Sequence, residues 1–159
     1  MLPSLISIAH GCSLNAWAFG RCVDDFSTAD WFVHDSHGHS ARWIAGHIAV
    51  HRHQALSLMG LSPERLDWAD SFRRGSSSDG VPSGLDGGAI RAAFHAAHQA
   101  MTPAWESLTD AHVNRPLGQV LPDGGDTVLA GLRFMAWHES YHVGQLGMLR
   151  RLAGKPAIV

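Results

Sequence analysis

An all-α fold, specifically an antiparallel up-and-down four-helix bundle, is predicted by three features of this 159-residue sequence. Four long segments repeat apolar residues at helical spacing and carry capping residues at their ends. Stretches rich in Gly, Ser, Asp and Pro separate these segments. No alternating strand pattern competes with them. Because long helices joined by loops pack most simply side by side in alternating directions, a bundle is the expected architecture.

The first two predicted helices cover residues 2–26 and 41–59. Pro3 suits the opening turn of the first helix, where a missing backbone N–H costs nothing. Ser40 is a suitable N-cap for the second helix, and Gly60 is a suitable residue to end it. The polar, histidine-rich stretch between the two helices is expected to be a loop.

The third and fourth predicted helices lie in the second half of the chain. Residues 73–88 are crowded with Gly, Ser and Asp, which indicates a surface loop rather than a linker between domains. An alanine-rich third helix then covers residues 89–108. The last helix begins near Asp126 or Thr127 and ends at Leu152.

The composition argues against several classes of partner. Hydrophobic residues make up 45% and charged residues 16%, as in ordinary globular proteins, and the length fits one domain over residues 1–159. The formal net charge is −2 and no long basic run occurs, so neither nucleic acid nor an acidic membrane surface is the expected partner. No apolar run reaches the roughly 20 residues that a membrane span needs, and no signal peptide is visible.

The two cysteines, Cys12 and Cys22, lie on the same predicted helix. Their separation along that helix is about 15 Å, which is beyond the reach of a disulfide. They are therefore expected to be reduced, in agreement with a cytoplasmic location. Neither has a histidine or carboxylate partner visible in the sequence, so a cysteine nucleophile is not supported.

A histidine pair in the last helix is the strongest local motif. His138 and His142 are four residues apart, so their side chains share one helical face with Met135, Gln145 and Leu149. Polar groups in the middle of an apolar face are costly unless they are satisfied, and a metal ion satisfies imidazoles directly. A hydrogen-bonded core histidine is the alternative explanation for any one of the twelve histidines.

The same string also matches H-E-x-x-H, the signature of zinc proteases. Such proteases usually take their third ligand from further along the chain, but no His, Asp, Glu or Cys follows His142. A third ligand must therefore come from upstream, and the second helix offers His47 and His51, again four residues apart. Two facing helices would supply three or four nitrogens to one ion. Such a donor set suits zinc, nickel or iron.

Two strings resemble the signature segments of the DinB/YfiT-like superfamily. They are SARWIAGH over residues 40–47 and HESYHVGQL over residues 138–146. The family pattern is a Trp-containing helix start that leads to one histidine, followed by a final helix with H-x-x-x-H-x-x-Q and an aliphatic residue. The resemblance implies a four-helix bundle that binds a divalent metal through three histidines, here His47, His138 and His142. It also implies a homodimer.

Two classes of function follow from this resemblance. Related enzymes include thiol-dependent S-transferases and a thiol-dependent maleylpyruvate isomerase. The leading expectation is therefore a metal-dependent enzyme that acts on a small-molecule substrate with a low-molecular-weight thiol. A metal-dependent hydrolase is the alternative within the enzyme class. The second class is a non-catalytic structural or stress-related bundle protein, in which a fourth ligand such as His51 would close the site.

Several other side chains receive expectations from the sequence. His51, if it is not a ligand, is expected to support one or to line the substrate pocket. Glu139 is expected to pair with an arginine near the rim rather than to act as a general base. Gln145 is expected to hold a ligand histidine or to bridge helices. A solvated loop is expected for three histidines that precede the second helix, which are His34, His37 and His39.

Overall fold

A computed structural model of the protein describes residues 1–34, 36 and 38–159. Within them the α-helices are α1 (Pro3–Val23), α2 (Ala41–Leu58), α3 (Gly87–Ser107), α4 (Asp110–Val113) and α5 (Val128–Leu152). Short 3-10 turns lie in the connections, at Asp30–Phe32, Ala69–Phe72 and Ser78–Gly80. No strand occurs in the described part of the chain, so the predicted all-α class is confirmed.

The capping residues explain where the helices begin and end. The Ser40 hydroxyl accepts a hydrogen bond from the N–H of Trp43 at 3.2 Å, and Thr127 caps α5 in the same way. Gly60 follows α2 with a φ of +84°, a left-handed conformation that glycine adopts at little cost. The predicted start and stop signals of α2 are therefore confirmed.

Helix α3 begins at Gly87, two residues before its predicted start. The Asp86 carboxylate accepts a hydrogen bond from the N–H of Ala89 at 2.7 Å, so the cap lies inside the glycine-rich stretch that the sequence marked as a loop. A Cβ on Gly87 would lie 1.9 Å from the Trp31 ring, so this close approach requires glycine. The prediction also placed the end of α1 too late, because α1 ends at Val23.

The four long helices contact one another in a closed pattern. Helices α1 and α2 each pack against both α3 and α5. One apolar cluster in the interior includes Phe19 and Phe94, and a second includes Leu5 and Met101. In the described chain no helix is both long enough and apolar enough to cross a membrane. The packing of α2 against α5 is what positions the site.

Candidate metal centre

Four histidine side chains from α2 and α5 meet at one place in the structure. His47 and His51 belong to α2, and His138 and His142 belong to α5. The ring centroids lie 4.3 Å apart for the α2 pair and 4.4 Å apart for the α5 pair. Between the helices, the centroids of His47 and His142 are 4.6 Å apart and those of His51 and His138 are 4.4 Å apart. We call these four side chains the histidine cluster.

His47 is the most buried member of the cluster, with 4% of its surface exposed. Its Nδ1 atom lies 2.6 Å from the backbone oxygen of Phe72. Because a carbonyl can only accept, Nδ1 carries the proton and Nε2 keeps its lone pair. A Cβ on Gly46 would lie 2.2 Å from the Phe72 ring, so glycine at this position lets the Ala69–Phe72 turn approach α2. The Trp43 ring stacks on the His47 ring, with centroids 4.8 Å apart.

His142 is oriented in a similar way from α5. Its Nδ1 atom lies 2.6 Å from Oε1 of Gln145, so Nδ1 donates and Nε2 keeps its lone pair. That Nε2 atom is 3.1 Å from Nε2 of His138. Two nitrogens bound to one tetrahedral zinc ion are about 3.3 Å apart. The observed separation is therefore close to what a shared ion requires, and the contact with Gln145 agrees with the supporting role expected for it.

The cluster also contains buried polar atoms that the protein itself does not satisfy. In the described structure, Nδ1 of His51 and Nδ1 of His138 are buried without a hydrogen-bond partner. Buried polar atoms normally have one. Ligand nitrogens of His47, His51 and His138 all lie within 4.8 Å of one another, close enough to hold an ion together. The donor set therefore fits a divalent metal that accepts imidazole.

Burial lowers the pKa of every histidine in the cluster. The pKa of His51 falls to about 3, through burial first and repulsion from the neighbouring imidazoles second. Burial likewise lowers the pKa values of His138 and His142 to about 4, and it also lowers that of His47. Neutral imidazole is the form that binds metals. Near neutral pH the cluster can therefore accept an ion without first losing protons.

A cavity of about 700 Å³ opens onto the cluster. Its lining includes the aromatic side chains of Trp43, Phe134 and Tyr141 and the apolar side chain of Met148. Cavities of this size with apolar walls and a few converging polar groups are typical of small-molecule sites. A ligand of that size can reach the histidines from outside.

The comparison with protein families agrees with this geometry. A family model of the DinB superfamily matches residues 18–146, a span that contains both histidine pairs. The chain belongs to the DinB superfamily. No curated protein gives a significant match. The family that the two sequence strings resemble is therefore confirmed for this chain.

In this DinB-superfamily protein, all three sequence-predicted ligands, His47, His138 and His142, lie in the cluster. The structure also places His51 there. The three histidines whose ligand nitrogens all lie within 4.8 Å of one another are His47, His51 and His138. The choice between these two ligand sets stays a prediction.

Glu139 pairs with an arginine, as expected, but the predicted location near the rim is wrong. Its Oε2 atom accepts from Nε of Arg52 at 2.7 Å, and its Oε1 atom accepts from Nη2. The two side chains are only 5% and 1% exposed. Burial raises the pKa of the Glu139 carboxyl above its ordinary value, against the opposing effect of the guanidinium. Because both carboxylate oxygens are engaged by Arg52, Glu139 is not presented to the cavity as a base.

The three histidines that precede α2 do not share one environment. His39 is half-buried and stacks on Trp43 with ring centroids 3.5 Å apart, so the solvated-loop expectation is wrong for this residue. It lines the cavity of the histidine cluster instead. His34 is exposed, as expected, and His37 lies outside the described residues.

The two cysteines are buried, and both are free, which confirms the prediction that they are not joined by a disulfide. Burial raises the pKa of Cys12 to about 12 and that of Cys22 to about 11. A thiolate is the nucleophilic form of cysteine. The chain's own thiols are therefore unsuited to nucleophilic catalysis near neutral pH.

Proposed function

We propose that this protein holds one divalent metal ion between α2 and α5 through His47, His138 and His142. The orientation of the nitrogen lone pairs carries the proposal. Phe72 and Gln145 hold the protons of His47 and His142 on Nδ1, which leaves Nε2 of each as a metal donor. Nε2 of His138 faces Nε2 of His142. Zinc or nickel is the expected ion and iron the third option, since all three accept imidazole ligands.

We further propose that the four long helices form a single-domain antiparallel up-and-down bundle in the cytoplasm. The closed pattern of contacts, in which α1 and α2 each pack against α3 and α5, supports the bundle. The two free, buried cysteines support a reducing compartment. A metal held by α2 and α5 would then join two neighbouring helices of the bundle.

The reaction class we propose is transfer of a low-molecular-weight thiol to an electrophilic small molecule, or thiol-assisted isomerisation of one. A bound divalent ion would supply the Lewis acidity that lowers the pKa of a thiol. The chain itself supplies binding and orientation. The aromatic side chains of Trp43, Phe134 and Tyr141 offer apolar walls beside the histidines, and the cavity of about 700 Å³ has room for a thiol and its partner.

Metal content is the direct test of this proposal. Wild-type protein is expected to contain stoichiometric zinc, nickel or iron by plasma mass spectrometry, and His47→Ala is expected to lose it. His53→Ala is the matched control, because His53 lies on the same helix but bonds the Ala49 carbonyl of that helix at 2.9 Å. Wild-type protein that stays metal-free after incubation with each ion would contradict the proposal.

Activity is tested on the metal-loaded protein with a small thiol and an activated aryl halide. Thiol consumption that is absent in His47→Ala and retained in His53→Ala would support thiol transfer. Ester hydrolysis without any requirement for thiol would assign the protein to the hydrolases instead.

A non-catalytic metal clamp is the second candidate, and the position of His51 favours it. A fourth imidazole would complete the coordination of a tetrahedral ion and leave no position open to a substrate. This candidate predicts a metal-loaded protein with higher thermal stability than the metal-free form and no thiol-dependent turnover.

We also propose a homodimer that forms through the outer faces of α1 and α5. Trp137, Tyr141, Met148 and Leu152 are all exposed, and they lie within about 60° of one another around α5. Trp17 is exposed on the neighbouring α1. Extended apolar surface of this kind marks interaction sites, and a second copy of the chain would cover it.

Sedimentation velocity tests the dimer. Wild-type protein is expected to sediment as a dimer, and Trp137→Glu as a monomer, because the interface would bury an unpaired carboxylate. Val120→Glu is the matched control, since Val120 is an exposed apolar residue in the connection before α5. A wild-type monomer at the highest soluble concentration, or a dimer that survives Trp137→Glu, would contradict this interface.

A further inference from the structure

The buried ion pair of Arg52 and Glu139 lies directly behind the histidine cluster. Arg52 follows His51 in α2, and Glu139 follows His138 in α5. Consecutive residues of a helix point about 100° apart, so each charged side chain leaves its helix on a different side from the histidine before it. The two histidines line the cavity, whereas the guanidinium of Arg52 contacts α1 and α3 in the interior. The cluster and the ion pair therefore lie on two sides of one contact between α2 and α5.

The ion pair and the cluster also lie at nearly the same height along the two helices. The ring centroids of His51 and His138 are 4.4 Å apart, and the next residue of each helix forms the ion pair. One residue corresponds to a rise of about 1.5 Å along a helix axis. A slide of α5 along α2 by one residue would therefore change the spacing of the histidines and the geometry of the ion pair together. We call this relative height of the two helices their register.

The ion pair is directional, in contrast to the apolar contacts near it. The Nε atom of Arg52 donates to Oε2 of Glu139 at 2.7 Å, and Nη2 donates to Oε1. Two parallel bonds between planar groups fix both a distance and an orientation. The surrounding apolar cluster, which includes Ile48 of α2 and Leu146 of α5, is held by the hydrophobic effect, which has no preferred direction. The ion pair thus defines a register that apolar packing alone defines less sharply.

Stability alone does not explain a charged pair at this position. The two side chains are only 1% and 5% exposed, so both charges are removed from water. The attraction between two buried charges often fails to offset the free energy lost on their desolvation. Apolar side chains of similar volume would then stabilise the fold equally well or better. A pair that adds little net stability but defines the register is expected where the register itself matters.

We propose that Arg52 and Glu139 are positioning residues for the metal centre, which hold α2 and α5 in the register at which the histidine nitrogens converge on one ion. This inference rests on the proposed metal site. Neither residue is a ligand, because a guanidinium has no lone pair to offer and both carboxylate oxygens of Glu139 accept from Arg52. The glutamate of the H-E-x-x-H string then acts through the helices and not as a base.

The double variant Arg52→Met with Glu139→Leu tests this role, because it removes the ion pair without leaving a buried charge. Zinc affinity is measured by competition with a chelator, and the visible spectrum of the cobalt-loaded protein reports the number and geometry of the ligands. The double variant is expected to fold, as judged by urea titration, and to bind zinc about 10-fold or more weakly, as for other groups that orient metal ligands. Its cobalt spectrum is expected to differ from that of the wild type.

The matched control is the double variant Arg91→Met with Asp24→Leu, which removes an exposed ion pair between α3 and the end of α1. Its zinc affinity and cobalt spectrum are expected to equal those of the wild type. If the first double variant does not fold, Arg52→Lys answers the same question, because lysine keeps the charge but lacks the planar fork of two donors. Arg52→Lys is expected to bind zinc more weakly than the wild type and to change the cobalt spectrum.

Wild-type zinc affinity and an unchanged cobalt spectrum in the folded variant without the pair would overturn the positioning role. Equal losses in that variant and in the control would also overturn it, because they would reflect a general effect on helix packing. A wild-type protein that binds neither zinc nor cobalt would instead count against the proposed metal site.

Discussion

Arg52→Ala is expected to destabilise the metal-free protein by about 3–5 kcal/mol, one of the largest effects of any single substitution in this chain. The substitution leaves the carboxylate of Glu139 buried without its partner. A carboxylate in that position must either stay charged in an apolar interior or take up a proton, and both are unfavourable. The metal-free protein is the form to measure, because a bound ion would stabilise the fold independently.

The expected loss is large because one guanidinium contacts all three other long helices. Besides Glu139 on α5, Nη2 of Arg52 donates to the backbone oxygen of Cys12 on α1 at 3.1 Å. Its Nη1 atom lies 2.9 Å from Nδ1 of His98 on α3. The guanidinium carbon is also 4.7 Å from the centroid of the Phe94 ring on α3. Removal of Arg52 therefore removes hydrogen bonds to three helices at once.

Arg91→Ala is the matched control for this measurement by urea titration. Arg91 pairs with Asp24 at 3.5 Å, but the two side chains are 40% and 60% exposed, so about 1 kcal/mol or less is expected. The double substitution of Arg52 to Met and Glu139 to Leu is expected to recover most of the lost stability, since it removes both charges. Equal losses for Arg52→Ala and Arg91→Ala would show that the buried pair does not hold the helices together.

The parts of the fold that depend on local chemistry were predictable. Ser40, Gly60 and Thr127 act through hydrogen bonds or backbone angles within one turn of the chain, so their roles can be recognised without tertiary structure. The i, i+4 spacing likewise placed each histidine pair on one face of its helix. Asp86 escaped recognition because two glycines follow it, and glycine is a poor indicator of a helix start.

The parts of the site that depend on how helices face one another were not predictable. Arg52 and Glu139 are 87 positions apart, and only the rotation of α2 against α5 makes them partners. The sequence does place both residues next to the histidine pairs, since Arg52 directly follows His51 and Glu139 directly follows His138.

His142→Ala is expected to lose the bound metal, whereas His51→Ala is expected to retain it. This difference is the second large effect expected. Metal-binding histidines almost always donate their other ring nitrogen to an acceptor that fixes the ring. His142 has such an acceptor in Gln145, whereas Nδ1 of His51 has no partner in the described structure. Nδ1 of His138 also lacks such an acceptor in the described structure, but His138 belongs to both ligand sets, so the comparison of His142 with His51 favours the set of His47, His138 and His142. His51 then lies beside the ion, where it supports a ligand or contacts the substrate.

Metal content of the two variants, with and without added imidazole, decides between the ligand sets. Imidazole is expected to restore metal to His142→Ala, because it can occupy the space of the lost ring, and this rescue separates a missing ligand from a misfolded protein. Loss of metal from His51→Ala alone would assign the ion to His47, His51 and His138. Loss from both variants would mean that four imidazoles surround the ion, which leaves a tetrahedral metal no open position and would favour the non-catalytic clamp over thiol transfer.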